Sequence, residues 1–239
     1  MKNYISYAEA DELCDCMIRQ FTGNNQPMLH HVDIDSFVRD YLKCKVLYET
    51  FAEDDPNKIG FTGDGVSPLK IRKKGQIISV VYPKNTIVIE RFLLRTEENA
   101  RRRFTIAHEA GHILAEHISP GRTANFCREY SSEHICTVQD VKELYSIREW
   151  QANTLAAALL MPRFMIHDML NKMYKGKKIP VYGGSVFRPK EKVLLEKMTD
   201  MLCVSYTALV IRLKNLGLLK YQNISDYIKE EFNFGGDVP

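Results

Sequence analysis

Apolar residues recur every three to four positions along several stretches of the chain, and this spacing predicts amphipathic helices. The helical patterns cover residues 8–21, about 34–43, 99–117, 148–162, 163–175, 191–201 and 205–216. Shorter stretches rich in β-branched and aromatic residues predict strands at 44–51, 69–72, 76–82 and 86–92. The turn residues Pro83-Lys84-Asn85 between the last two predict a hairpin. Helices mixed with a few short strands indicate an α+β fold with a small β-sheet.

One helical pattern, predicted to begin near residue 99 and to end near residue 117, contains the motif H-E-x-x-H. His108, Glu109 and His112 occupy its defining positions. Residues four apart lie on one face of a helix, so the two imidazoles can converge on one metal ion. Glu109, about 100° further round the helix, can reach a metal-bound water instead of the metal. The spacing therefore predicts a metal site.

The alternative explanation for the two histidines is a solvated helix face. An apolar stripe on the same helix argues against a solvated face, because such a stripe can anchor the helix in a core. The stripe consists of Phe104, Ala107, Gly111, Leu114 and Ala115. Glycine costs a helix roughly 1 kcal/mol relative to alanine, so Gly111 predicts a closely packed neighbour. The basic run 101–103 at the start of the helix predicts a solvated turn or local ion pairs rather than a nucleic-acid patch.

Composition limits the function classes. A chain of 239 residues that is 45% hydrophobic can bury one core with a small appendage. Its net charge of +3 is low for a dedicated nucleic-acid binder. The chain contains no run of about 18 apolar residues, so no membrane span is predicted. Charged residues near the N-terminus predict that no signal peptide is present, and the six cysteines are expected to be free thiols in a reducing cytoplasm.

A catalytic zinc site needs a third protein ligand and one open position. His117 follows the motif by five residues and points away from it, so the third ligand must come from elsewhere in the chain. Glu149 lies near the start of the alanine-rich helix and could face the motif, although a solvated glutamate is the alternative. Asn153 shares its face and could orient a ligand histidine by accepting its second N–H. His134 is the next candidate ligand.

The stretch 122–144 is polar and has little periodicity. Cys127, His134 and Cys136 lie in it and could form part of a second metal site, but no fourth ligand is evident. Tyr130, His134 and Tyr145 are the candidates for stabilising the oxyanion of a reaction intermediate. No sequence pattern chooses among these three side chains.

Two blocks of sequence carry a family resemblance. R-x-F-T-x-A-H-E-x-G-H at 102–112, followed by E-x-x-A-N-x-x-A-A-x-L-L-M-P at 149–162, resembles the ImmA/IrrE family of bacterial zinc metallopeptidases. The resemblance extends from about Val32 to Leu219. Two departures are a longer segment at 118–147 and Leu155, which stands where an aromatic residue is common in the family.

The resemblance implies a zincin-like, gluzincin-like catalytic domain with one catalytic Zn²⁺. In the family's pattern, His108, His112 and Glu149 are the zinc ligands, and Glu109 is the catalytic base. Such enzymes are typically cytoplasmic, often belong to mobile elements or stress circuits, and cleave a helix-turn-helix repressor. A helix-turn-helix repressor is therefore the expected protein substrate.

The C-terminal segment is expected to form a second unit. Pro and Gly residues at 179–189 predict a boundary, so the catalytic domain is placed at 1–175 and a tail at 221–239. Two helical patterns joined by a short turn predict a helix-turn-helix-like module over 189–220. It is expected to pack on the catalytic domain, with repressor docking and DNA binding as alternatives.

Direct DNA binding is the weaker alternative for this module. As a DNA reader, its second helix would expose Tyr206, Thr207, Arg212 and Lys214, which include only two cations. The sequence therefore predicts a zinc-dependent endopeptidase. A repressor-binding or DNA-binding regulator with a structural metal site, which does not cleave its partner, is the alternative.

Overall fold

The computed structural model describes residues 5–23, 31–118 and 147–231. Several candidate residues of the sequence analysis lie outside these ranges, namely Cys127, Tyr130, His134, Cys136 and Tyr145. The longer segment that departs from the family pattern also falls mostly outside them. No helix in the described ranges is both long enough and apolar enough to cross a bilayer.

The described residues form eight α-helices. Their bounds are α1 Tyr7–Thr22, α2 Ile34–Ser36, α3 Asn99–Ile118, α4 Ile147–Leu160, α5 Arg163–Tyr174, α6 Pro189–Leu202, α7 Tyr206–Asn215 and α8 Ile224–Glu231. The second helix continues into a π-helical turn at Phe37–Tyr41, and two 3₁₀ turns precede α3 at Arg91–Leu94 and Thr96–Glu98. A capping box begins α1, where Ser6 and Glu9 satisfy each other's backbone N–H groups.

Seven short strands form three small sheets in the described ranges. Their bounds are β1 Lys45–Glu49, β2 Gly60–Thr62, β3 Pro68–Lys73, β4 Gln76–Val81, β5 Thr86–Glu90, β6 Ile179–Tyr182 and β7 Leu219–Gln222. The central strand β5 pairs in parallel with β1 and antiparallel with β2. Strands β3 and β4 form an antiparallel pair, and β6 and β7 a parallel pair. The predicted α+β class is confirmed.

The hairpin predicted between 76–82 and 86–92 is wrong. Strand β4 pairs with β3 instead, across Lys74 and Gly75, which both have positive φ, 51° and 81°. Two consecutive residues of positive φ make the two-residue turn whose twist suits a hairpin. Strand β5 is almost completely buried at the centre of its sheet, which accounts for its unbroken apolar sequence.

Helices α3 and α4 pack side by side and approach most closely at Gly111. A Cβ atom on Gly111 would lie 2.7 Å from the carbonyl oxygen of Ala152 and 3.0 Å from its Cα. Only a residue without a side chain permits this approach, so the close neighbour predicted for Gly111 is confirmed. The contact sets the separation of the two helices that carry the predicted site residues. Leu155 is fully buried on α4.

The arginines at the start of α3 differ in their surroundings. Arg102 forms an ion pair with Asp35 at 2.7 Å. Arg103 is buried, and its guanidinium donates to the carbonyl oxygens of Val32 at 2.9 Å and Cys203 at 3.1 Å. The expectation of a solvated turn or local ion pairs is therefore wrong for Arg103, because carbonyl oxygens replace its water.

Arg212 is buried, whereas the DNA-binding alternative requires it to be exposed. Its exposed fraction is 1%, its Nη2 lies 2.6 Å from Asp11 Oδ1 on α1, and its Nε donates to the carbonyl oxygen of Met161. A carboxylate and a carbonyl together compensate the charge of the buried guanidinium. Through Arg103 and Arg212, α6 and α7 are joined to the first half of the chain. The domain boundaries remain predictions.

Candidate metal centre

The structure brings together side chains from two helices that are far apart in sequence. His108 and His112 project from α3, and their Nε2 atoms are 3.0 Å apart. Glu149, in the first turn of α4, places Oε2 at 3.3 Å from His108 Nε2 and Oε1 at 3.4 Å from His112 Nε2. Within the described ranges, these three residues are the one group of His, Cys, Asp or Glu side chains that is placed to hold a metal ion.

The separations between these atoms fit a tetrahedral ion. A tetrahedron with metal–ligand bonds of about 2.0–2.1 Å has edges of about 3.3–3.4 Å, close to the three observed separations. Two imidazoles and one carboxylate are a donor set found in catalytic zinc sites, and they leave one position open. Glu149 is 20% exposed and the two histidines are less so, so the group reaches solvent at its Glu149 side. The residues present therefore fit a metal ion.

A hydrogen bond that Asn153 accepts fixes the orientation of one imidazole. Asn153 Oδ1 lies 2.9 Å from His108 Nδ1. Because a carbonyl oxygen only accepts, Nδ1 carries the proton, and the lone pair of His108 Nε2 faces the other two ligand atoms. Asn153 follows Glu149 by four residues, so a single face of α4 supplies both a candidate ligand and its support.

The second imidazole is held neutral by its surroundings. Burial, together with the neighbouring His108 and the charge of Arg148, holds the pKa of His112 well below its usual value. A neutral imidazole keeps a lone pair on its unprotonated nitrogen, which is the form that binds a metal.

Glu109 lies in a closed compartment between α3 and β2. Its side chain is fully buried, and Thr62 donates a hydrogen bond to Oε2 at 2.7 Å. Burial raises the pKa of Glu109 to about 7, while the proximity of His108 and the Thr62 hydrogen bond act in the opposite direction. The other oxygen, Oε1, accepts no hydrogen bond from the described residues. It therefore keeps an acceptor site for a proton.

Gly60 makes room for this carboxylate. A Cβ atom at Gly60 would collide with Glu109 Oε1 and with Thr105 Cγ2. Strand β2 consequently passes against the carboxylate with only backbone at the closest point. The same strand supplies Thr62, so β2 both encloses Glu109 and hydrogen-bonds to it.

Comparison with known protein families agrees with this arrangement. Residues 92–214, just over half of the chain, match the family Peptidase_M78, described as the IrrE N-terminal-like domain. The chain belongs to this family. The resemblance to the ImmA/IrrE peptidases is thereby confirmed, and membership indicates a metallopeptidase with a protein substrate. No curated protein matches the chain.

In this ImmA/IrrE chain, all five predicted site residues lie around one point: His108, Glu109, His112, Glu149 and Asn153. His117 lies apart, as expected, and its Nδ1 contacts the carbonyl oxygen of Ile113 one turn earlier in α3. Gly60 and Thr62 were not among the predicted site residues, because they lie between the predicted strands at 44–51 and 69–72. A three-residue strand is too short to show a period of two, so no periodic signal pointed to them.

Proposed function

We propose that the chain is a zinc-dependent endopeptidase whose active-site helix is α3 and whose catalytic domain is zincin-like. The observation that carries this proposal is the convergence of His108, His112 and Glu149 beside the buried carboxylate of Glu109. The ligand spacing suits zinc, and a carboxylate that is not among the ligands is the additional group that hydrolysis needs.

In the proposed mechanism, His108, His112 and Glu149 would hold a zinc ion, and Asn153 keeps one imidazole in its metal-binding tautomer. A zinc ion held there would lower the pKa of a water molecule to about 7 and would polarise the scissile carbonyl. Glu109 takes the proton of the attacking water on Oε1 and passes it to the leaving amine. Thr62 holds Oε2, so the carboxylate keeps one orientation through both proton transfers.

The proposed substrate is a helix-turn-helix transcriptional repressor in the cytoplasm, whose cleavage relieves repression. The support for this step is the family resemblance alone. Helices α6 and α7 are proposed to form a helix-turn-helix-like module that is packed on the catalytic domain. The contacts of Arg103 and Arg212 with the rest of the chain support that packing.

The alternative is a regulator that binds a repressor or DNA around a structural metal site. A structural zinc site normally has four protein ligands, whereas the described residues supply three. Nor would a structural site need the fully buried carboxylate of Glu109. For DNA binding, the burial of Arg212 removes one of the two cations of α7, so Lys214 remains as the exposed cation there.

The proposed chemistry is tested by separating metal binding from turnover. Glu109→Gln should retain about one zinc per chain and lose peptide-bond cleavage, because it keeps the shape of the side chain but removes the base. Glu116→Gln, on the exposed end of the same helix, is the matched control and should behave like the parent. Undiminished cleavage by Glu109→Gln would refute the mechanism.

The substrate is tested with purified helix-turn-helix repressors and the zinc-loaded enzyme. Intact-mass spectrometry should show two complementary fragments from a single internal cut, and Glu109→Gln should give none. A stable complex without fragments, formed equally by both proteins, would favour the regulator that does not cleave.

A further inference from the structure

A cleft lies between the end of α5, the start of α6 and the β6–β7 pair, and its volume is about 480 Å³. The residues that line it are unusually basic: Lys177, Lys178, Arg188, Lys190 and Lys220. One acidic residue, Glu191, lies among them, so the lining carries +4 (5 − 1). The whole chain carries only +3, and its remaining charges therefore nearly cancel. None of these residues belongs to the candidate metal centre.

The floor of the cleft presents unsatisfied acceptors. Glu191 is fully buried, and its Oε1 accepts a hydrogen bond from the Tyr174 hydroxyl at 2.7 Å. Its Oε2 and the Oε1 of Gln222, both buried, accept no hydrogen bond from the described part of the chain. Because buried acceptors without donors are costly, these two atoms favour a ligand that brings O–H or N–H groups.

The rim of the cleft favours an anion. Helix α6 begins here: Arg188 precedes it, Pro189 is its first residue, and no side chain caps it. The first N–H groups of a helix have no partner within the helix, and the helix dipole attracts negative charge to this end. Four lysines and one arginine around the same opening supply positive charge, and the arginine, Arg188, also contacts Tyr182. Phosphate groups suit both features.

We propose that this cleft binds a small phosphorylated ligand. Its phosphates lie between the rim cations and the first turn of α6, and its hydroxyl or amino groups donate to Glu191 and Gln222. The volume is in the usual range for small-molecule sites, about 300–1,000 Å³.

The test is isothermal titration calorimetry on the full chain with zinc present. Inorganic triphosphate and ATP are the two probes, with excess Mg²⁺ so that neither probe extracts zinc. The variant Lys177→Glu/Lys178→Glu reverses two rim charges. The control Lys192→Glu/Lys197→Glu makes the same change in net charge on exposed residues of α6 that do not line the cleft.

We expect the parent and the control to bind within twofold of each other and the rim variant to bind at least tenfold more weakly. Equal binding of the two probes would identify the phosphate chain as the recognised group. Tighter binding of ATP, lost in Glu191→Gln, would identify a nucleotide-like ligand. The proposal is overturned if neither probe binds, if both charge-reversal variants lose binding equally, or if duplex DNA binds the rim more tightly than either probe.

Discussion

Replacing Gly111 by alanine tests whether the packing of α3 on α4 builds the metal centre. Alanine is the better helix former, and in an isolated helix the change would stabilise by roughly 1 kcal/mol. In this protein the new Cβ atom would lie 2.7 Å from the carbonyl oxygen of Ala152 and 3.0 Å from its Cα. Both contacts are with backbone, so no side-chain rotation can relieve them.

The size of the effect follows from these distances. Comfortable contacts between carbon atoms are about 3.5–4.0 Å, so α4 must move away by roughly 0.5–1 Å. Overpacking of this kind costs about 1–3 kcal/mol, which outweighs the gain in helix propensity. The net expectation is a loss of about 0–2 kcal/mol in the free energy of unfolding.

The displacement also reaches the site, because Ala152 lies between Glu149 and Asn153 on α4. The distance from Asn153 Oδ1 to His108 Nδ1 is 2.9 Å. A shift of about 0.5–1 Å would lengthen it to the limit of a hydrogen bond or beyond. Loss of such a support typically weakens metal binding about 10–100-fold. We therefore expect Gly111→Ala to bind zinc at least tenfold more weakly than the parent.

Two measurements on the same preparations check this expectation: urea unfolding of the zinc-free proteins, and zinc affinity by competition with a chelator. Helix propensity stabilises the variant and overpacking destabilises it, so the sign of the change in unfolding free energy shows which effect is larger. Helix propensity alone would make the variant more stable by about 1 kcal/mol. The reasoning is refuted if the variant shows this gain and also binds zinc as tightly as the parent.

Three further predictions concern single side chains. Asn153→Ala should weaken zinc binding about 10–100-fold in the chelator competition while the helix content in circular dichroism stays unchanged; unaltered affinity would contradict its orienting role. Asp11→Ala should lower the free energy of unfolding in urea by about 3–5 kcal/mol, because it leaves the Arg212 guanidinium buried without its carboxylate. The double variant with Arg212→Met should recover part of this loss. A loss below about 1 kcal/mol, which is typical of an exposed pair, would contradict the prediction. Burial raises the pKa of Cys14 to about 12, whereas Cys16 is exposed. At pH 8, mass-spectrometric mapping should therefore find a thiol reagent attached to Cys16, and none on Cys14 until the protein unfolds. Equal labelling of the two thiols would contradict the burial of Cys14.

The local part of the candidate site could be predicted from the sequence. The spacing of His108 and His112 within one helix fixes their common face, so helix geometry alone brings the two imidazoles together. For Glu149 the residues left two explanations open, because nothing local reveals that α4 lies against α3. Gly111 indicated a close neighbour but did not identify it, since a glycine that lowers the stability of its helix needs a packing reason.

The non-local part could not be predicted. Thr62 reaches Glu109 only because β2 adds to the edge of the β5 sheet, and three residues show no periodic pattern. Arg103 was expected in a solvated turn or in local ion pairs, and the DNA-binding alternative placed Arg212 at the surface, because an isolated helix pattern assigns charged residues to solvent. Their partners, Cys203 and Asp11, lie about 100 residues or more away in the chain, so only the tertiary structure identifies them.

The bond between Arg103 and the end of α6 has a consequence for the order of synthesis. Residue 203 follows residue 149 by 54 positions (203 − 149), and at about 5–20 residues per second a ribosome needs roughly 3–11 s to cover them. During that interval the histidines and Glu149 have been made, but the guanidinium at the start of α3 still lacks the carbonyl oxygens of Leu202 and Cys203. The helix that carries the histidines therefore gains these buried partners only after residues 202 and 203 have been made.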